Sequence, residues 1–340
     1  MKPLLITMGD PTGIGPEIVV RALLEGRFDT LERPLVVVGD VAILQRAARL
    51  FGREVDVIQT SDEAGGLSSH VLRIGSRRLA VRALSALSAK TLKWGHPDEA
   101  CGRAMAEYII WACDRCLDGQ AAGMVTAPIN KAAIRKAGYR YAGHTELLAE
   151  RCGTTRVVMM LAGPRLRVCL ATTHLALRDV PATLTSEGIL ETIRIAQHSL
   201  RRFCGLESPR LAVLGLNPHS GEQGMFGDEE DRLIRPAIET ARAEGVAASG
   251  PHSADTLFHF AARGDYDAVV CMYHDQGLIP LKLLHFDDAV NVTLGLPIVR
   301  TSVDHGTAYD LAGTGQASPA SLVAAVSMAT EMTSKENPRF

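Results

Sequence analysis

Short, nearly unbroken runs of valine, isoleucine, leucine and alanine alternate with amphipathic segments along almost the whole chain. The runs fall at 4–7, 35–38, 55–58, 123–126, 157–161, 166–172, 211–216, 268–272 and 290–294. Apolar stretches this short and this little interrupted by polar residues read as strands covered on both faces. The segments between them carry helix punctuation. Pro16 suits the first turn of a helix over 17–24, and Asp40 can cap one over 41–50 with Gly52 just past its end. Further helices are expected from 97–99 to 117, from 185 or 186 to 203, and from 228 to 243, stopped at Gly119, Gly205 and Gly245. Such alternation defines an α/β chain with a mainly parallel sheet. The serine- and glycine-rich stretch 60–91 has weak periodicity and is expected to be loop or antiparallel edge. With 340 residues, the chain has room for two domains of ordinary size.

Charge excludes several classes of function. Lys and Arg number 36 against 38 Asp and Glu, a formal net charge of -2, so the basic field that nucleic-acid binding needs is missing. Aromatic residues make up 5%, too few for interleaved base-stacking platforms. Charges or glycines break every apolar run before membrane-spanning length, and the apolar stretch after Met1 is shorter than a signal peptide requires. Seven scattered cysteines argue against a disulfide framework. Cys113 and Cys116 form a C-x-x-C inside the helix expected to end at 117, where they read as neighbours on a helix face. A cytoplasmic chain with no nucleic-acid or membrane partner is expected.

Open α/β sheets bind ligands beyond the carboxyl ends of their strands. Three histidines sit there: His174 after the run 166–172, His219 after 211–216 and His274 after 268–272. Any one alone is an ordinary loop histidine. Together, imidazoles delivered by separate strands are a usual way to hold a divalent transition metal with a coordination position left open. His70, His198, His252 and His259 show no such placement and read as structural or solvated. Gly143-His144-Thr145-Glu146 precedes a helical run, where Thr145 can cap and free N–H groups suit an anion. Lys282, Asn291 and Arg300 lie near the ends of apolar runs, two cations and an amide suited to a phosphorylated carboxylate. Asp304-His305-Gly306-Thr307 either faces substrate or caps a helix through 309–311. The loop 9–17 is neither G-x-G-x-x-G nor a P-loop; its glycines allow close approach to a ligand, and a tight β–α turn explains them equally well.

Taken in order, the motifs are more specific. They are Gly-Asp-Pro-Thr-Gly-Ile-Gly-Pro-Glu (9–17), Gly-His-Thr-Glu (143–146), Ala-Thr-Thr-His-Leu (171–175) and Gly-Leu-Asn-Pro-His-Ser-Gly-Glu (215–222). Ala-Asp-Thr-Leu-Phe (254–258), Tyr-His-Asp-Gln-Gly (273–277), Asn-Val-Thr-Leu-Gly-Leu-Pro (291–297) and Arg-Thr-Ser-Val-Asp-His-Gly-Thr-Ala (300–308) follow. The set closely resembles the 4-hydroxythreonine-4-phosphate dehydrogenase family of vitamin B6 biosynthesis, from Ile6 to beyond Gly313.

The resemblance implies a fold related to the isocitrate and isopropylmalate dehydrogenases, with two α/β/α domains flanking a cleft and no Rossmann domain. We place them at 1–130 with 300–340 and at 131–299, the second carrying the metal ligands and a dimer interface. It implies a homodimer with a shared active site. It places one divalent metal (Zn, Mg, Co or Mn) on His174, His219 and His274, and substrate on His144, Thr145, Lys282, Asn291 and Arg300. The implied reaction is hydride transfer from C3 of 4-phosphohydroxy-L-threonine to NAD or NADP, then loss of CO₂ to give 3-amino-2-oxopropyl phosphate. Lys282, Asp255 and Asp275 are all candidates for the general base, and no residue is singled out for the nucleotide. The same chemistry on D-threonate or D-erythronate 4-phosphate is the nearest alternative, and aromatic cis-dihydrodiol dicarboxylates are substrates of further relatives. From other classes, a His₃ metal-dependent hydrolase and a non-catalytic metabolite-binding module remain to be tested. Lys282, Arg300 and the intact Gly-His-Thr-Glu favour a phosphorylated substrate.

Overall fold

The unbroken apolar runs form strands. A computed structural model describes residues 1–60, 63–141 and 143–334. The chain divides into one unit of Met1–Thr155 with Leu296–Thr333 and a second built on Arg156–Gly295. The first unit contains β1 (Leu4–Thr7), β2 (Leu35–Gly39), β3 (Asp56–Gln59), β4 (His70–Ile74), β5 (Arg77–Ala83) and β6 (Gly123–Thr126). The second contains β7 (Val158–Ala162), β8 (Arg167–Leu170), β9 (Leu211–Leu214), β10 (Ala248–His252), β11 (Ala268–Cys271) and β12 (Val290–Leu294). The chain then returns to the first unit as β13 (Val299–Val303).

In the first unit the strand order is β13-β6-β1-β2-β5-β4-β3. Pairing is parallel from β13 to β5 and antiparallel through β5, β4 and β3. Every residue of β1, β6 and β13 is buried, so both faces of this part of the sheet are covered. The helix Glu99–Leu117 packs on β1, β2 and β6, and Thr301 on β13 donates to the Ala325 carbonyl of the helix Ala320–Ser334. The cap expected at Asp40 is made, its carboxylate accepting from Ile43 N at 3.1 Å, and within the expected opening at 97–99 it is Asp98 that caps, accepting from Cys101 N at 2.8 Å. Within the stretch 60–91, of which residues 61 and 62 lie outside those described, β4 and β5 form an antiparallel pair, and β4 pairs in turn with the edge strand β3, exposed at every position.

The unit boundary differs from the one expected at 131. The helices Lys131–Lys136 and His144–Arg151 pack on Glu99–Leu117 and belong to the first unit. Gly102 explains the first contact: a Cβ there would lie 2.1 Å from the Ala133 carbonyl oxygen, so only glycine admits the approach. Arg151 holds Asp114 through two bonds of 2.6 and 2.7 Å, and Cys113 Sγ lies 3.7 Å from Cys152 Sγ. Cys113 and Cys116 are both buried on the long helix, as helix-face neighbours should be.

In the second unit the order is β10-β9-β11-β8-β7-β12. The first four strands are parallel, while β7 runs antiparallel to both β8 and β12. Thr185 caps the helix Ser186–Cys204 by accepting from Gly188 N, and Gly205 ends it in the left-handed region at φ 70°. The helix expected over 228–243 begins instead with a π turn, Glu230–Ile234, followed by Arg235–Ala243. Pro236 has no N–H for an ordinary helical bond at this junction. Among the described residues no helix is long and apolar enough to cross a membrane.

Candidate active site

The strand order makes the histidine placement spatial. β9, β11 and β8 are parallel neighbours, so the segments leaving their carboxyl ends emerge on one edge of the sheet. His174 lies in the irregular segment after β8, and His274 opens the helix His274–Leu284 after β11. Their ring centroids are 5.5 Å apart. His274 Nδ1 pairs with Asp275 Oδ1 at 2.8 Å, which orients the ring. Both rings line a pocket of about 830 Å³ whose wall also includes Thr173, Asp255, Tyr273 and Gln276. Gln276 is buried, accepts from Met272 N and donates to the Gly215 carbonyl, each at 2.7 Å, tying the ends of β11 and β9 together.

His219 does not join that pair within one chain. It begins a left-handed turn in which His219, Ser220, Glu222 and Gln223 have φ between 44° and 57°, and it lines a separate hollow of about 390 Å³. Each non-glycine residue held there costs about 1–2 kcal/mol. Among the described residues, no three His, Cys, Asp or Glu side chains cluster closely enough to hold a metal ion. Strand placement carries all three histidines to one sheet edge, where the left-handed turn holds His219 in a hollow of its own.

The remaining second-unit candidates are spread along neighbouring elements. Asp255 is exposed in the first turn of the helix Ala254–Ala261. Lys282 shares the helix of His274 but lies about 12 Å further along its axis at the usual helical rise, with Nζ 5.7 Å from the Phe286 ring centroid. Asn291 is half-buried on β12, opposite Leu161 of β7.

His144, Thr145 and Arg300 belong to the first unit. Arg300 on β13 is 3% exposed and donates to Thr126 Oγ1 at 2.7 Å. Burial pushes its pKa down to about 10, which leaves the guanidinium charged at neutral pH. His144 is the first residue of the helix His144–Arg151, and its Nε2 is buried with no hydrogen-bond partner. Burial, then the charges of Arg300 and Lys131, hold its pKa well below the ordinary 6.5, so the imidazole is neutral. Thr145 does not cap, contrary to expectation: Gly143 is the cap residue, and Thr145 sits inside the first turn. A neutral imidazole, two cations and the N–H groups of a helix start form a surrounding suited to an oxyanion.

The His144 shift has a sign for stability. The unfolded chain takes up a proton near pH 6.5 that folded His144 refuses. Its contribution is therefore fully present above pH 6.5 and lost on acidification toward the lower folded pKa, by at most about 1.4 kcal/mol per pH unit. Urea denaturation of His144→Asn from pH 5 to 7.5 should show a shallower pH dependence than the unchanged protein. Parallel curves would show that His144 is not the group responsible.

Several polar residues here escape sequence reasoning. Lys131 is one: its Cε lies 3.3 Å from where a Gly143 side chain would begin. Another set ties the ends of β1, β6 and β13. Tyr309 OH donates to Asp10 Oδ2 and receives a bond from Asn130 Nδ2, both at 2.6 Å, while Thr12 binds Asp10 Oδ1 through N and Oγ1. The segment 304–311 forms turns, not the helix considered for 309–311, and the Thr307 carbonyl accepts from Ile14 N. Each such residue reads alone as a turn or surface group, and only the fold makes it a partner.

Known proteins supply the wider frame. Residues 30–329 match the family described as pyridoxal phosphate biosynthetic protein PdxA. A 4-hydroxythreonine-4-phosphate dehydrogenase of Geobacter metallireducens is 57% identical over 332 residues, 97% of this chain and 96% of that protein. The crystal structure of 4-hydroxythreonine-4-phosphate dehydrogenase from Klebsiella pneumoniae aligns with a TM-score of 0.85 at 41% identity, covering 98% of this chain and 100% of that one. A terephthalate 1,2-cis-dihydrodiol dehydrogenase from Burkholderia xenovorans LB400 aligns with a TM-score of 0.66 at 29% identity, covering 97% of this chain and 98% of that one. Matched along nearly its whole length in sequence and in fold, the chain belongs to the PdxA family of pyridoxal phosphate biosynthetic proteins.

Proposed function

We propose that the protein is a metal-dependent 4-hydroxythreonine-4-phosphate dehydrogenase that uses NAD or NADP. It would oxidise C3 of 4-phosphohydroxy-L-threonine, and the resulting β-keto acid would lose CO₂ to leave 3-amino-2-oxopropyl phosphate. The observation that carries this reading is the near-full-length relative of that name at 57% identity, against 29% for the dihydrodiol dehydrogenase.

The donor set fits a divalent metal. Two imidazoles face one pocket, one of them oriented by a carboxylate. His174 and His274 would hold the ion, and His219, apart from them within one chain, would be supplied as the third ligand of the family pattern by the second copy of the homodimer. When bound, such an ion supplies Lewis acidity to the oxidised hydroxyl and positive charge for decarboxylation. Asp275 is engaged with His274, and Lys282 lies about two helical turns away. Asp255, on the pocket wall, is therefore the best placed of the three candidate bases to take the C3 hydroxyl proton. Arg300, Thr145 and the neutral His144 would bind an anionic group of the substrate, and Lys282 and Asn291 keep the substrate-binding roles that the resemblance implies.

A homodimer fits the exposed apolar surface of the second unit. Ile279 and Leu283 line the His174–His274 pocket yet are 66% and 84% exposed, and Leu177 on the same wall is 67% exposed. A second copy seated there would bury this face and bring its own side chains to the two histidines.

Incubation of the protein with 4-phosphohydroxy-L-threonine, NAD⁺ and Mg²⁺, Co²⁺ or Zn²⁺ should release NADH and CO₂ in equal amounts. Faster turnover of D-threonate or D-erythronate 4-phosphate would move the protein to a sugar-acid substrate. Inorganic phosphate released without NADH would make it a hydrolase.

A further inference from the structure

A carboxylate outside the expected ligand set supports the turn that carries His219. Glu230, at the start of the π turn, is 2% exposed. Its Oε1 accepts from the backbone N–H of Leu216 at 2.7 Å and of Asn217 at 2.8 Å, and its Oε2 accepts from Asn217 Nδ2 at 3.0 Å. The Asn217 amide also donates to Glu229 at 2.7 Å. All these donors lie between the end of β9 and His219. Two glycines close on the same carboxylate. A Cβ at Gly221 would meet Oε2 at 2.7 Å, and one at Gly215 would meet Oε1 at 3.0 Å. The carboxylate thus sits inside the loop, with the left-handed residues 219–223 wrapped past it. Backbone in that region persists only where its surroundings over-determine it, and Glu230 bonds both sides of the entry to the turn.

We propose that Glu230 is a positioning residue for metal binding: by fixing the backbone at Leu216 and Asn217, it sets the turn that presents His219. The proposal rests on reading His219 as a metal ligand. A carboxylate suits the task because both of its oxygens accept. Glutamine at this position would keep one acceptor and turn an NH₂ group toward the Asn217 amide donor.

The test is titration calorimetry of the full-length protein with Co²⁺ alone, comparing wild type, Glu230→Gln, His219→Ala and the double variant. Amide hydrogen exchange at Leu216 and Asn217, and thermal unfolding, are followed in parallel. Glu230→Gln should bind Co²⁺ about tenfold to a hundredfold more weakly, with faster exchange at those two amides and an unfolding temperature lowered by the lost buried acceptor yet well above the titration temperature. The double variant should bind no more weakly than His219→Ala, since both lesions act through one ligand. Gly221→Ala, which crowds the carboxylate from the opposite side, should reproduce the loss with Glu230 intact, and it serves if Glu230→Gln does not fold. Wild-type Co²⁺ affinity in Glu230→Gln, with His219→Ala impaired, overturns the positioning role and leaves the ligand assignment standing. Wild-type affinity in His219→Ala overturns the ligand assignment, and the positioning role with it.

Discussion

Replacing His274 with alanine is expected to lower kcat/KM by about a thousandfold or more, equivalent to about 4 kcal/mol of transition-state stabilisation, with little change in thermal stability. The two halves of this expectation have separate grounds. The ring is at the protein surface, 33% exposed, so its removal opens no core cavity. It is nevertheless one of the two imidazoles that share a pocket, and a divalent ion left with one fewer nitrogen ligand binds far more weakly. Asp275→Asn should be milder, about tenfold to a hundredfold, because the ring stays and only its orienting carboxylate weakens. His198→Ala, on the helix Ser186–Cys204, should change neither metal content nor turnover. Metal analysis of the purified variants decides the matter: equal metal in His274→Ala and wild type would remove His274 from the ligand set.

The path from residues to this site is readable in parts. Asp40, Asp98 and Thr185 announce their helices because a short polar side chain before an apolar period has one good use, and each makes its cap bond. The histidines after β8, β9 and β11 reach one sheet edge because parallel strands all deliver their carboxyl ends there. The left-handed turn at 219–223 is not readable in the same way. Ser, Glu and Gln have no preference for positive φ, and Gly221 and Gly224 signal only a generic bend. Glu230 is equally hidden, since one of two adjacent glutamates reads as a solvated surface charge until Leu216 and Asn217 are seen to donate to it. The first unit runs to 155 instead of 130, and Gly102, whose missing side chain lets Ala133 approach, makes the first of the contacts that extend it. Close approach of this kind leaves no periodic trace.

Removing the phosphate from the substrate is expected to lower kcat/KM by about a hundredfold or more, about 3 kcal/mol. Arg300 is already desolvated, 3% exposed and anchored to Thr126, so folding has taken its charge out of water before any ligand arrives. A dianion placed against it gains charge-assisted hydrogen bonds without a further desolvation cost on the protein side. The unphosphorylated compound forfeits more than one neutral hydrogen bond, because a bond to a buried cation is charge-assisted and about twice as strong as a neutral one. His144 offers an independent reading of the same event. Burial, then Arg300 and Lys131, depress its pKa in the free protein, and a bound dianion opposes the two charges, so the imidazole pKa should rise when inorganic phosphate binds. Arg300→Lys keeps the charge but loses the planar fork, and it should impair the phosphorylated substrate far more than the unphosphorylated one. Lys282→Ala should follow the same pattern if Lys282 contacts the phosphate, whereas equal losses on both substrates would place Lys282 in the chemistry. Equal kcat/KM for a 4-phosphate and for an unphosphorylated diol would align the activity with the terephthalate dihydrodiol dehydrogenase at 29% identity instead of the relative at 57%.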